Sequence, residues 1–202
     1  AKRRDLLAKM TVHMARRDGA RASLREMAAA AEVSVPTLRH YFGDRAQTLD
    51  AVLEECLRRG RPGLDAQRFT DKPFAQSIAS YAADLVRVLG EPKSVRLGDV
   101  FALSLAEGFL DPSLGPSALR HILDPTIDAL RARLALHVAR GEMVPTDLKT
   151  AAMMLISPLL VASLHQQQLR GERQSPLTMD VMTDDVVAAF LRAYAAPAAV
   201  KA

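Results

Sequence analysis

Tryptophan is absent, aromatic residues make up only 4% of the 202 residues, and there is a single cysteine, Cys56. One cysteine cannot close an internal disulfide, which excludes a disulfide-stapled secreted scaffold and agrees with a reducing compartment. No apolar run reaches the ~18 residues a bilayer span needs, and the opening AKRRDLLAKM lacks the uninterrupted apolar stretch of a secretory signal. These absences lead us to expect a cytoplasmic protein without a membrane partner. Catalytic signatures are missing too. His13, His40, His121, His137 and His165 are scattered, with no HExxH or Cys-His spacing, and neither GxGxxG nor GxxxxGK[ST] occurs. We therefore expect no enzyme activity, no metal and no cofactor. Strong net charge is lacking as well, but the formal +4 is unevenly spread. Residues 1–50 hold ten Lys/Arg against six Asp/Glu, and the remainder holds seventeen of each. A basic end on a neutral body is the footprint of a protein that meets a polyanion with one end only.

What is present reads as helix throughout. Ala, Leu and Arg dominate, period-2 alternation is missing, and 49% of residues are hydrophobic at near-zero mean hydropathy, which fits an all-α globular protein. Leu6, Leu7, Met10 and Met14 recur at helical spacing, and Asp18-Gly19 supplies a stop. Ser23 followed by Glu26 is a capping box for a short second helix near 24–30, with Leu24, Met27, Ala28 and Ala31 as its buried stripe. Ser34 caps a third helix with Pro36 in its first turn, ending at Gly43. Asp44 caps a fourth, with Leu49, Val52, Leu53, Cys56 and Leu57 inward; the stretch RGRPGLDAQRFTDKP is expected to break it. Cys56 on that stripe reads as core packing rather than as a redox sensor.

Further helices are expected near 73–89, 94–109, 116–140 with a kink or break at Asp124-Pro125, 146–170 and 178–195. The last two are apolar around most of their circumference, so each needs cover on more than one side. One side suits the chain's own core and the other a subunit interface, for which Leu160, Leu164, Val187, Phe190 and Leu191 are the candidates. The alternative is that both sides are core.

Two short helices joined by a tight turn at 23–42 fit a helix-turn-helix. Their detail narrows the field. GARASLREMAAAAEVSVPTLRHYFGDRAQTL resembles the DNA-binding signature of the tetracycline-repressor (TetR) family, through Gly19, Ser23, Met27, Ala28, Ala31, Val33, Ser34, Thr37, Leu38, Tyr41, Phe42, Asp44, Arg45 and Leu49. Two positions depart from that pattern. Glu32 stands at the turn where the family usually has Gly, and Arg39 where it usually has Tyr; an arginine can hold phosphate or reach guanine O6 and N7.

The resemblance implies a three-helix DNA-binding head at residues 1–45 and a helical effector-binding and dimerisation body at 46–202. It implies double-stranded DNA with a palindromic operator as partner, a homodimer, and a small organic effector that relieves repression. Together with groove geometry it assigns Ser23 to phosphate, Arg25 to a base or phosphate at the groove edge, and Val35 and Pro36 to thymine methyls. Thr37, Arg39, His40 and Tyr41 supply polar contacts, with Arg45 on phosphate in place of the family's usual Lys. For each, a solvated helix face is the alternative, and for Tyr41 a core position. In the body, Tyr81, Phe101, Leu105, His121 and His165 are the candidate effector contacts. Asp84, Asp99 and Glu107 are further polar positions there, read mainly as surface. A DNA-binding regulator controlled by a protein partner or not responsive to any ligand, and a helical small-molecule carrier or enzyme, are the competing readings.

Overall fold

The computed structural model describes residues 2–15, 21–91 and 96–197. The expected stop at Asp18-Gly19, and Gly19 of the signature, lie outside them. Eleven α-helices are named among the described residues: α1 Lys2–Ala15, α2 Leu24–Ala30, α3 Val35–Phe42, α4 Arg45–Gln67, α5 Phe74–Gly90, α6 Leu97–Leu110, α7 Gly115–Ala118, α8 Asp124–Ala139, α9 Leu148–Gln167, α10 Gly171–Gln174 and α11 Met179–Tyr194. A π-helical turn, Leu119–Leu123, joins α7 to α8. Chain contacts divide the molecule into two compact units, 1–61 with 90–125 and 62–89 with 126–202. They cut across the 45/46 boundary expected from sequence.

In the first unit the apolar stripes of α1 to α4 meet in one core. Met10, Met27, Leu38 and Leu49 are each fully buried there. The short α2 and α3 hold their ends with side chains, as their length requires. Ser23 Oγ accepts from Glu26 N at 3.2 Å while Glu26 Oε2 accepts from Ser23 N at 2.7 Å. Ser34 Oγ accepts from Thr37 N at 3.2 Å. A second reciprocal cap starts α4, with Asp44 N donating to Gln47 Oε1 and Gln47 N to Asp44 Oδ1, both at 2.9 Å. Gly43 sits at φ +85°, a conformation that L side chains rarely adopt, which is why glycine suits it; an added Cβ would also displace the Gln47 side chain from the cap. On the far side of this unit α6 and α7 approach closely through Gly108 and Gly115, where a Cβ on the former would sit 3.3 Å from the latter's Cα.

The break expected within the stretch from Arg59 to Pro73 comes late in it, since α4 runs through Pro62 and ends at Gln67. Gly60 and Gly63 face open space, and Pro62, which removes one hydrogen bond and crowds the carbonyl four residues before it, is accommodated inside the helix. The last turn is held from outside the helix: Arg133 of α8 donates through Nε to Gln67 O at 2.7 Å and through Nη2 to Phe69 O at 3.2 Å, so tertiary bonds override weak local propensity. Pro125 falls in the first turn of α8, where a missing amide costs nothing, and the expected break there is a change from π to α winding.

The second unit packs α5, α8, α9 and α11 around Ile78, Leu130, Leu134, Leu155 and Leu159. Phe74, Phe190 and Tyr194 form a ring chain with centroid separations of 6.3 and 4.7 Å. Helix α9 is long and apolar enough to cross a membrane by length and composition, yet its inward face is core.

One buried carboxylate on α4 makes folding stability pH-dependent. Glu55 is 5% exposed and receives hydrogen bonds from Arg58 at 2.7 Å and Arg59 at 2.8 Å. The Arg58 bonds, reinforced by Arg59 and opposed by burial, lower its pKa from 4.5 to about 2. The folded form thus holds the proton less tightly than the unfolded chain, so this stabilisation is complete above the unfolded pKa and disappears as pH falls toward the folded one. Because both arginines are substantially solvated, we expect Glu55→Gln to remove about 1–2 kcal/mol of the stability change between roughly pH 5 and 2.5. Urea melts across that range test this; parallel pH profiles for variant and parent would refute it.

Candidate nucleic-acid interface

Helix α3 has two faces. Leu38 and Phe42 are buried in the core, whereas Pro36, Arg39 and His40, spaced three and four apart, stand exposed together on the other side. Ser23 and Arg25 are exposed at the start of α2. Val35 and Tyr41 are half-buried against the core, and Tyr41 stacks edge-on with His40 at 5.4 Å. Thr37 is also half-buried, and its hydroxyl lies 2.8 Å from Ser34 Oγ as part of the cap. Ser23 Oγ is likewise engaged, 2.7 Å from Glu26 Oε2. The turn between the helices passes through Glu32 at φ +57°, the left-handed conformation that glycine usually supplies. Lys9 Nζ donates to Glu32 Oε2 at 2.7 Å, linking α1 to this turn. Arg3 lies over the Phe42 ring at 5.0 Å and ties α1 to α3.

Arg45 stands apart from the other expected contacts. Its Nε donates to Ala22 O at 2.8 Å and its Nη2 to Glu107 Oε1 at 2.6 Å, so in this structure the guanidinium turns into the unit rather than toward solvent. Glu107, read from sequence mainly as surface, is 2% exposed. Its register with Val100 and Ser104 on α6 was the available signal, but periodicity alone did not say which face was covered.

The candidate effector contacts divide between the units. Phe101 is fully buried and Leu105 half-buried in the first unit. His121 sits in the π-helical turn of the same unit, its Nε2 3.1 Å from Asp50 Oδ1, which Ser117 Oγ also approaches to 2.5 Å. Burial works to raise the Asp50 pKa, but the bonds from Ser117 and His121 outweigh it and the net shift is downward. Tyr81 and His165 belong to the second unit. Tyr81 is 4% exposed with the Arg133 guanidinium 5.7 Å from its ring centroid, and burial raises its phenol pKa. His165 Nδ1 meets Gln166 Nε2 at 2.7 Å. Cys56 is half-buried, its thiol pushed up to about 11 by burial, the opposite of an activated thiolate.

Of the candidate dimer residues, Leu160, Val187 and Phe190 are buried in the chain's own core, at 8%, 7% and 4% exposure. Leu164 and Leu191 are half-buried. The outward side of α9 carries Met153, Met154 and Val161 instead, and α11 exposes Val181, Ala188 and Ala189.

Residues 76–196 match the family model described as the C-terminal domain of AefR-like transcriptional repressors. No curated protein is similar enough in sequence to match the chain. Among solved structures, E. coli NemR in its reduced form superposes with a TM-score of 0.72 at 18% identity, covering 98% of each chain. GusR of Salmonella enterica gives 0.68 at 17% identity, covering 95% of this chain and 94% of its own. A TetR transcriptional regulator from Agrobacterium tumefaciens gives 0.64 at 23% identity, covering 97% of this chain and 96% of its own. Identities this low speak for the fold. With the family match covering more than half of its length, the chain belongs to the TetR family of transcriptional regulators and carries a C-terminal domain of the AefR-like type.

Proposed function

We propose that this regulator is a homodimeric cytoplasmic repressor that binds a palindromic operator through α3 and is released by a small organic effector held in the helical body. The observation that carries the reading is the exposed triad Pro36, Arg39 and His40 on the face of α3 opposite its core residues, at the basic end of the chain. Such a face suits the major groove, with Ser23 and Arg25 at its edge on phosphate or sugar. Val35, Thr37 and Tyr41 contribute from their half-buried positions. Phe101, Leu105 and His121 in the first unit and, separately, Tyr81 and His165 in the second remain alternative candidates for contacting the effector, a largely apolar molecule oriented by a few polar groups. An effector lowers operator affinity only by binding the DNA-incompetent form more tightly, so operator must weaken its binding by the same factor.

Selection of bound duplexes from random DNA tests the reading directly, a palindromic consensus being the expected result. On the selected duplex, Arg39→Ala should cost about 1–3 kcal/mol at one position of each half-site if the guanidinium reads guanine. A uniform loss across sequences would reassign Arg39 to phosphate. Absence of any enriched sequence would overturn sequence-specific binding itself.

A further inference from the structure

We propose that Glu107 is a positioning residue for DNA recognition, holding Arg45, Arg21 and, through Arg45, the entry to α2, so that the placement of α6 sets the placement of the operator-reading helices. The inference rests on the proposed operator binding and deepens it.

Its basis is an ion cluster within the first unit. The Glu107 side chain is 3% exposed and lies 2.6 Å from Arg45 Nη2 and 3.5 Å from Arg21 Nε. Arg21 Nη2 is in turn 3.5 Å from Asp111 Oδ2 at the end of α6. Two guanidinium and two carboxylate groups thus balance in formal charge, with Arg45 Nη1 the one guanidinium nitrogen of that residue left without a hydrogen-bond partner. Arg45 is also the bridge: it donates to Ala22 O, one residue before the Ser23 cap of α2, while its own backbone begins α4. For Arg45 to swing to DNA it would have to abandon its 2.6 Å contact with a buried carboxylate and leave that charge to the longer, half-solvated Arg21 contact alone, a loss that low-dielectric surroundings disfavour. A residue that joins α2, α4 and α6 can instead transmit displacement. If α6 moves, Glu107 must either carry Arg45 and the start of α2 with it or lose its partner.

The deciding variants separate a bridge from a phosphate contact. Arg45→Lys keeps a cation able to meet phosphate but lacks the fork that serves Ala22 O and Glu107 together. On the selected duplex we expect Arg45→Lys and Glu107→Gln each to weaken binding by about fivefold or more. The dependence of log affinity on log salt should stay unchanged, and the double variant should be little worse than the poorer single one. In the DNA-free protein, amide exchange over residues 22–30 should quicken in both. If Arg45→Lys binds like the parent, Arg45→Ala lowers the salt slope by about one per half-site, and Glu107→Gln is silent or tighter, then Arg45 contacts phosphate and the inference fails. Should Glu107→Gln not fold, Arg45→Lys alone decides, with the exchanged pair Arg45→Glu/Glu107→Arg as a rescue test. Failure of the parent protein to select any duplex sinks the operator reading, whereas a selective parent with silent variants sinks only this one; the exchange measurement needs no DNA.

Discussion

Glutamates at Met153 and Val161 together are expected to yield a folded monomer whose affinity for a two-half-site operator falls by two orders of magnitude or more. These side chains, 46% and 63% exposed, lie on one line of α9 eight residues apart. Exposed α-helical surface this apolar is uncommon on a monomer unless a partner covers it. A two-fold pairing of α9 and α11 with their copies would place like charges against each other and oppose closure. Operator affinity then drops because a palindromic site needs two heads, and a single one forfeits the second half-site. Leu160→Ala provides the contrast. With 8% exposure, its side chain fills the chain's own core, so truncation should cost about 2–4 kcal/mol of folding stability, a loss of packing rather than of a charge-free interface. Light scattering, circular dichroism and operator titration together distinguish the cases. A stable dimer in the double glutamate variant would place the interface elsewhere.

Arg133→Ala should be among the most damaging single changes, at about 3–5 kcal/mol, because it breaks a buried network rather than removing one contact. The guanidinium is 6% exposed and has all its donors engaged. Beyond the carbonyls of Gln67 and Phe69, it reaches Gln67 Oε1 at 3.1 Å and the Ser77 hydroxyl at 3.2 Å. Ser77 Oγ also lies 2.9 Å from His137 Nε2, whose Nδ1 is 2.6 Å from Glu142 Oε2. Serine, histidine and glutamate thus stand in the order of a hydrolytic triad, but Ser77 and His137 are both at 0% exposure and the arginine occupies the hydroxyl. The arrangement ties the end of α4 to α5 and α8 and presents no nucleophile to a substrate. Desolvation lowers the Arg133 pKa, outweighing the opposing influence of Tyr81 and Asp84. Truncation would strand several acceptors at once, and urea melts should show both the loss and fraying of residues 62–67 by hydrogen exchange. A cost under about 1 kcal/mol would mean that water replaces the guanidinium easily.

Local chemistry is what made the head legible. Ser23 with Glu26, Ser34 with Pro36, and Asp44 are caps whose partners lie three residues away, so α2, α3 and the start of α4 could be bounded from the chain alone. Glu32 was legible only as a departure from the glycine usual in the family, and its φ of +57° is the conformation that glycine adopts most readily. Matters failed where the deciding partner is distant in sequence. The carbonyls at the end of α4 are held by Arg133, 66 residues away, which local propensity could not foresee. Arg45 and Glu107 are 62 residues apart, so an arginine read as facing DNA turned out to bind a buried carboxylate. For α9, composition by itself determined that more than one side must be covered, because apolar surface is costly in water whatever lies against it. Which residues face the core, Leu160 rather than Val161, was decided only by the rotation of the helix against its neighbours, a quantity that periodicity does not contain.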